Sequence, residues 1–392
     1  MTRSVLISGA GIAGPSLAYW LGRLGDDVTV VEQAPGPRTS GSAVDFRGDQ
    51  LALLTRMGVL EQIRAARTGM GDQVIVDAAG RRRSAYPAAV FSGELEIDRA
   101  DLARILHEHS APHARYVFGD RITAMTQDAD GVDVTFARGG SRRYDLVVGA
   151  DGLHSVVRRL TFGDGHRHHL GYYAASFEVP NTFGLDHTGV IHNAPGRYVG
   201  VAGARDTARA IVSLMFAAPE LEPRRGDLDA QKAVLAERFA DVGWRTPELL
   251  AALRDVADLY FAPLSQVRLD RWSAGRVVLL GDAAWCAGPG GNGTGHAMLG
   301  AYTLAGELAR AGHETAFARY EEAMRPPVTA SQKFAAKAGK HLVPATEGAI
   351  RRRDRTYRVL SSRPMTGLLT WLSTRTAKTG ALTGYPLPAV TA

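Results

Sequence analysis

Gly9-Ala10-Gly11-Ile12-Ala13-Gly14, directly behind the apolar run Val5-Leu6-Ile7, decides the fold of the amino-terminal half. The run reads as a short buried parallel strand, and Leu17, Ala18 and Leu21 follow the glycines at helical spacing. Strand, glycine turn and helix in this order make a dinucleotide-binding unit. Gly9 permits the tight turn, Gly11 lets the backbone approach a pyrophosphate, and Gly14 lets helix and strand pack closely. Ala13 belongs to the same cradle, where unpaired N–H groups and the positive end of the helix dipole face the phosphates. A second strand, Val28 to Val31, ends at Glu32. That is close to the ~20-residue offset at which an acidic side chain accepts hydrogen bonds from a ribose diol.

The 392 residues exceed the usual size of one hydrophobic core, so two closely packed domains are expected. Hydrophobic residues at 45% and charged residues at 22% are ordinary for a globular protein. No uninterrupted apolar stretch is long enough to span a membrane, and the first apolar run is too short and glycine-rich for a signal sequence. A cytoplasmic location, without membrane attachment, is expected. Cys286 is the only cysteine, which excludes an internal disulfide and a cysteine-built metal site. The net charge of +6 comes largely from arginine, with clusters at Arg81-Arg82-Arg83 and Arg351-Arg352-Arg353. No nucleic-acid motif accompanies them, so they read as solvated surface and no nucleic-acid partner is expected. His166, His168 and His169 read as a polar loop, and no metal site is expected.

Strand and helix signals alternate through the first part of the chain. A loop rich in proline, glycine and serine runs from Gln33 to Ser42, and Gln50 to Met57 reads as a helix stopped by Gly58. Arg99 to Glu108 reads as a helix with Asp98 at its N-cap. Asp120 to Gln127 and Gly131 to Phe136 read as a hairpin. From Tyr172 to Phe261 the pattern changes to antiparallel strands: Tyr172 to Val179, Gly189 to His192, Tyr198 to Ala202, Arg209 to Phe216 and Leu259 to Phe261. Helices are expected at Leu228 to Ala240 and Pro247 to Leu253. Arg276 to Leu280 reverts to a buried strand. A helix starts at Leu299, and another, from Thr315, is ended by Pro326-Pro327.

Two further motifs stand at strand ends. One is Leu146-Val147-Val148-Gly149-Ala150-Asp151-Gly152, leading into a short helix with Arg158. The other is Val277-Val278-Leu279-Leu280-Gly281-Asp282-Ala283-Ala284, followed by the glycine-rich run Gly288 to Gly295. Such a run can bring backbone N–H groups to an electron-rich ring edge, while Asp282 can accept from sugar hydroxyls.

The three motifs in this order resemble the flavoprotein aromatic hydroxylases, the single-component FAD-dependent monooxygenases that include para-hydroxybenzoate hydroxylase and the tetracycline-inactivating monooxygenases. The resemblance covers residues 1–325. It implies an α/β fold: a Rossmann-like FAD-binding domain (residues 1–170 and 265–325), an inserted, mostly antiparallel β-sheet substrate domain (residues 171–264) and a C-terminal helical segment (residues 326–392). It further implies that Gly9, Gly11, Gly14 and Glu32 hold the ADP half of FAD. Asp151 is associated with FAD and the nicotinamide cofactor, Asp282 with the ribityl or ribose region, Arg99 with phosphates or ribityl chain, and Arg47 with the flavin's surroundings. Pro289 and Gly290 border flavin and substrate, and Gly293, Thr294 and Gly295 offer backbone N–H groups at the flavin pyrimidine edge. Departures from the family pattern are Trp285, the residue after Gly281-Asp282-Ala283-Ala284, a loop after Pro289 one residue short, and Gly295 in place of a side-chain-bearing residue. They are expected to alter the flavin's re-face.

The implied reaction has NADPH or NADH, as transient reductant, reduce FAD. O2 then adds to give a flavin C4a-hydroperoxide, and one oxygen atom passes to a small aromatic or polyketide-like substrate by hydroxylation or Baeyer–Villiger insertion. No protein nucleophile is required, and no catalytic residue is assigned. One alternating set of Arg209 to Phe216 faces the substrate. His192, Tyr172 and Arg209 are possible substrate contacts, each weighed against a structural or surface role. The alternatives are another FAD-dependent oxidoreductase (a dehydrogenase, an oxidase or a halogenase, although no Trp-x-Trp-x-Ile-Pro motif occurs) and a noncatalytic flavin- or ligand-binding protein. A monomer or homodimer is expected.

Overall fold

The computed structural model describes residues 2–37, 43–86, 94–203, 207–221, 227–290, 292–360 and 384–387. The loop expected from Gln33 to Ser42 therefore lies partly outside the described residues, as does most of the C-terminal segment beyond residue 360.

Val5, Leu6 and Ile7 form the centre of the Ser4–Ser8 strand and are fully buried. This strand sits inside a six-stranded sheet, flanked on one side by Leu146–Gly149 and on the other by Asp27–Glu32, both parallel to it. Val277–Leu279 and Arg115–Phe118 extend the parallel array, and Ser273–Ala274 closes one edge antiparallel. Strands buried on both faces are near-continuous runs of Val, Ile and Leu, which is the pattern read here. The Ala13–Arg23 and Arg99–Ser110 helices pack together, and the Gly293–Leu308 helix packs against the first of them. Asp98 occupies the N-cap of the Arg99 helix in extended geometry, although its side chain makes no capping bond.

The second sheet has seven strands in the order Tyr260–Val267, Arg167–Pro180, Arg209–Ala217, Arg197–Gly203, Thr188–Ala194, Gln73–Val76 and Arg82–Tyr86. Its last two strands come from the hairpin at residues 73–86, far upstream of the other five. His168 and His169 are strand residues rather than loop, and His169 Nε2–H donates to the Ala218 carbonyl at 3.1 Å. The three-histidine run holds no metal cluster: among the described residues no group of His, Cys, Asp and Glu could hold a metal ion.

One face of this sheet carries its own core, in which Tyr173, Phe177, Val212, Leu214 and Phe216 pack against Leu235 and Phe239 of the Leu228–Phe239 helix and Leu249 and Leu253 of the Thr246–Leu253 helix. Strand alternation then sends Ile211, Ser213 and Met215 to the opposite face, where they are half-buried.

The expectation that Pro326-Pro327 ends a helix is overturned: one helix runs from His313 to Leu342 through both prolines. A helix-interior proline costs about 3 kcal/mol. Met324 and Val328, on either side, are 1% and 2% exposed, and Arg325 donates to the carbonyls of Leu269 and Asp270. Burial on both flanks of the break holds the helix together. Among the described residues no helix is long and apolar enough to cross a membrane.

Candidate active site

Four adjacent parallel strands end in Gly9, Glu32, Ala150-Asp151 and Gly281-Asp282, so every sequence motif emerges at the same carboxyl edge of the six-stranded sheet. In open α/β sheets this edge is where ligands bind. The motifs also touch. Gly9 has φ +108°, and a Cβ placed there would lie 2.5 Å from the Ala150 carbonyl oxygen and 2.8 Å from Asp151 Cα. A Cβ on Gly281 would lie 3.1 Å from Ala13 Cβ and 3.5 Å from Ala297 Cβ, so the third motif wedges between the first helix and the Gly293–Leu308 helix. Gly11 differs: nothing lies within 4 Å of where its Cβ would be. The loop is closed on the protein side and open on the outside, a cradle with room for a large group.

Glu32 is built into this cradle. One carboxylate oxygen accepts from the Ala10 amide and the other from the Ala34 amide, both at 2.9 Å. Each oxygen keeps a further lone pair to accept from a sugar hydroxyl. Asp151 is turned inward, and its Oδ2 accepts from the amides of Val156 at 2.8 Å and Val157 at 3.2 Å, capping the Val156–Phe162 helix. Its Oδ1 is buried without a protein donor. Burial pushes the Asp151 carboxyl upward against the opposing pull of these hydrogen bonds.

Arg158 received no role from the sequence, yet it ties two motifs together. It is 5% exposed, donating through Nη1 to the Ala283 carbonyl at 2.9 Å and through Nη2 to the Leu153 carbonyl at 2.7 Å. The available signal was an arginine inside the otherwise apolar Val156-Val157-Arg158 turn.

Asp282 opens a short helix, and its Oδ1 lies 3.6 Å from where a Gly293 Cβ would be, beside the start of the Gly293–Leu308 helix. That helix begins six residues earlier than expected. Gly293, Thr294 and Gly295 therefore form its first turn, in which helix geometry leaves N–H groups unpaired. Arg99 acts on the same neighbourhood: the Cys286 thiol is pushed up first by burial and then by the Asp282 carboxylate, with Arg99 opposing. Arg47 joins this group through Gln50: its backbone amide donates to Gln50 Oε1 at 3.1 Å, and the Gln50 side chain lies against Gly295, while the Arg47 guanidinium pairs with Asp45 at 2.7 Å and its charge reaches Tyr86 on the second sheet.

Two departures from the family pattern acquire a physical reading. Trp285 turns away from the motif edge into the core, where it is 2% exposed and packs against Trp272 with ring centroids 4.5 Å apart. The expectation that it changes a flavin's re-face is corrected, because the indole fills space beneath the Gly293–Leu308 helix instead. Gly295 carries no side chain because the Gln50 amide lies where its Cβ would be.

Pro289 and Gly290 follow at the same edge, with Gly290 close to Phe334 and Ala338 of the long helix. On the second sheet, Tyr172 reaches that helix, touching Gly339. His192 points to the other side of the sheet, its ring 6.2 Å from that of Trp244 and its Nδ1–H donating to the Val76 carbonyl. Arg209 is exposed and pairs with Glu178 at 3.4 Å. Tyr172 and Arg209 lie on the face away from the second sheet's own core, Arg209 at its exposed end, and of the three only Tyr172 touches the long helix.

A dinucleotide cradle, a second sheet and an open edge between them define a dinucleotide-dependent oxidoreductase. The family model described as an FAD binding domain matches residues 2–334. The flavin-dependent monooxygenase of an unknown prokaryotic organism is 38% identical over 341 residues, covering 85% of this chain and 88% of its own. The uncharacterized protein Rv1260 of Mycobacterium tuberculosis (strain ATCC 25618 / H37Rv) is 43% identical over 329 residues, covering 81% and 88%. The crystal structure of tetracycline destructase Tet(51) superposes with a TM-score of 0.84 at 32% identity, covering 98% of this chain and all (100%) of that one. The chain belongs to the flavoprotein aromatic hydroxylase family and is an FAD-dependent monooxygenase.

Proposed function

We propose that the protein uses NADPH or NADH and O2 to insert one oxygen atom into a small aromatic or polyketide-like compound. The observation that carries this reading is the convergence of Gly9, Glu32, Asp151 and Asp282 at one sheet edge, with Gly288 of the loop that follows lying against Leu170 and Ser265 of the second sheet. The division of labour follows the chain. Residues 1–170 and 265–325 hold the cofactor, residues 171–264 with the 73–86 hairpin face the substrate, and the helices beyond residue 325 form a wall.

Bound FAD supplies the electron transfer and oxygen activation. The protein's part is binding, orientation and exclusion of water. The Gly11, Ala13 and Gly14 backbone receives the pyrophosphate, Glu32 accepts from the adenosine ribose, and Asp282 with Arg99 holds the ribityl region. The first-turn N–H groups of Gly293, Thr294 and Gly295 meet the pyrimidine edge, favouring negative charge there. Arg47 stands close to the flavin through Gln50, whose side chain lies against Gly295. The substrate rests against Pro289 and Gly290 on one side and Tyr172, Ser213 and Met215 on the other. These neutral side chains suit an uncharged, hydroxyl-bearing ring system.

The structural likeness to a tetracycline destructase makes tetracycline the first compound to test. Protein loaded with FAD is incubated with NADPH, air and a panel of aromatic polyketides including tetracycline. A product heavier by one oxygen atom supports the proposal. Reductant consumption that yields only peroxide across the whole panel contradicts the substrate class.

A further inference from the structure

Two arginine clusters from distant parts of the sequence meet on one surface. Arg82 and Arg83 open the Arg82–Tyr86 strand at the edge of the second sheet, and Arg351-Arg352-Arg353 belongs to the Glu347–Leu360 helix, which packs against that strand. The contact is fixed by Arg358, whose Nη2 donates to the Arg83 carbonyl at 3.1 Å, and by Tyr357, whose ring lies 4.9 Å from that of Tyr86. Each cluster alone reads as solvated surface in the sequence; the fold joins them into a single basic face.

That face is not neutralised. Arg81 pairs with Asp77, Arg353 with Asp354 and Arg197 with Asp241. Setting Glu347 against the half-buried Arg83 still leaves Arg82, Arg351, Arg352, Arg355 and Arg358, all exposed. The sequence holds no acidic residue between Asp77 and Glu94 and none after Asp354, so the flanking stretches supply no counter-charge. Arg351, Arg355 and Arg358 stand at i, i+4 and i+7 and share one stripe of the helix, where like charges at this spacing are destabilising. An anion with several separated charges relieves that repulsion, whereas a single small anion reaches only part of the stripe. The helix already uses its apolar side on the protein, with Ile350 buried and Tyr357 against Tyr86, which favours a dissolved anion over a lipid surface. The face also adjoins the cofactor loops. Burial pushes the Tyr86 phenol up, opposed by the Tyr357 hydrogen bond and by the charges of Arg47 and Arg353, so Tyr86 stands between the helix and Arg47. The Arg47 amide in turn donates to Gln50 Oε1, and the Gln50 side chain lies against Gly295.

We propose that Arg82 and the exposed arginines of the Glu347–Leu360 helix hold the phosphate groups of NADPH while its nicotinamide end reaches the flavin. This rests on the reading that a pyridine dinucleotide reduces the cofactor, and it adds the place and the preferred form. Guanidiniums bind phosphate oxygens through paired N–H groups. A face with this excess of positive charge attracts the dinucleotide carrying the additional 2′-phosphate more strongly than NADH.

The test uses the FAD-loaded protein in two measurements: calorimetric titration with NADP+, which cannot reduce the flavin, at low and high salt, and anaerobic stopped-flow reduction of the flavin by NADPH and by NADH. Saturable NADP+ binding that weakens with salt is expected, with a lower half-saturating concentration for NADPH than for NADH. The double variant Arg351→Glu/Arg355→Glu, at exposed positions, should weaken NADP+ binding and raise the NADPH half-saturation by roughly tenfold or more. Its limiting reduction rate, flavin content and melting temperature should stay unchanged. Arg82→Glu, on the strand, should act in the same direction and keeps the test decisive if the helix variant folds poorly. Unchanged nucleotide affinity in both variants, equal half-saturation for NADPH and NADH, or a loss confined to binding of duplex DNA or phosphatidylserine vesicles overturns the proposal. A flavin that neither nucleotide reduces in the wild type removes the underlying reading, and this proposal with it.

Discussion

Gly9 and Ala150 approach so closely that the smallest possible side chain at Gly9 would meet the Ala150 carbonyl at 2.5 Å, with the Gly9 backbone already at φ +108°. This contact joins the first cofactor loop to the Asp-Gly loop. Gly9→Ala adds backbone strain and a steric clash together, roughly 1–3 kcal/mol for the strain alone. The expected outcome is a lower melting temperature and a purified protein depleted of flavin. Wild-type melting and normal flavin absorbance would show that the two loops yield independently.

Glu32→Gln is nearly isosteric but replaces one acceptor oxygen with an NH2 group. Glu32 accepts from both the Ala10 and Ala34 amides, so the variant must set a donor against one of them. The cost of one unmatched buried group is about 1–3 kcal/mol. FAD affinity should fall by about tenfold or more, read by flavin fluorescence titration. Glu32→Asp, too short to reach both amides, should also weaken binding.

The Asp151 carboxyl is raised by burial, so its folded-state pKa lies above the unfolded one. For an acid shifted in this sense the stability contribution is complete below the unfolded pKa and declines as pH rises through the folded pKa. Asp151→Asn keeps an oxygen that can cap the Val156–Phe162 helix and removes the charge. The variant should match the wild type at acidic pH and gain relative stability toward pH 7 in denaturant titrations of the flavin-free protein. A stability difference independent of pH would contradict the assignment.

Cys286 is held as a neutral thiol by burial and by the Asp282 carboxylate, and its Sγ–H donates to the Ser265 carbonyl at 3.4 Å. Thiolate is the reactive form. Iodoacetamide at pH 8 should leave the folded protein unmodified over times that fully alkylate the denatured chain. Rapid labelling of the folded protein would mean that the segment following the Asp282–Trp285 helix is open.

The three cofactor loops are legible in the sequence because each is local: an apolar strand, a glycine turn and a helix within about a dozen residues. Arg209 to Phe216 shows where local reading stops. Its alternation identifies two faces, but only the helices at Leu228–Phe239 and Thr246–Leu253 packing on Val212, Leu214 and Phe216 decide which face is which. The Gln73–Tyr86 hairpin joins the second sheet through pairing across more than a hundred residues, and no local pattern specifies that partner. Helix continuation through Pro326 and the inward turn of Trp285 likewise depend on tertiary burial overriding local preference. Arg158 is legible only as an oddity, since its acceptors lie on two separate segments.

The most direct test of the central claim is a crystal structure of the FAD-loaded protein. The account predicts the adenosine ribose on Glu32, the pyrophosphate over Gly11, and the isoalloxazine ring beside Pro289 and Gly290, facing Tyr172, Ser213 and Met215. An isoalloxazine ring lodged away from Pro289 and Gly290, or a ribose without contact to Glu32, would contradict it.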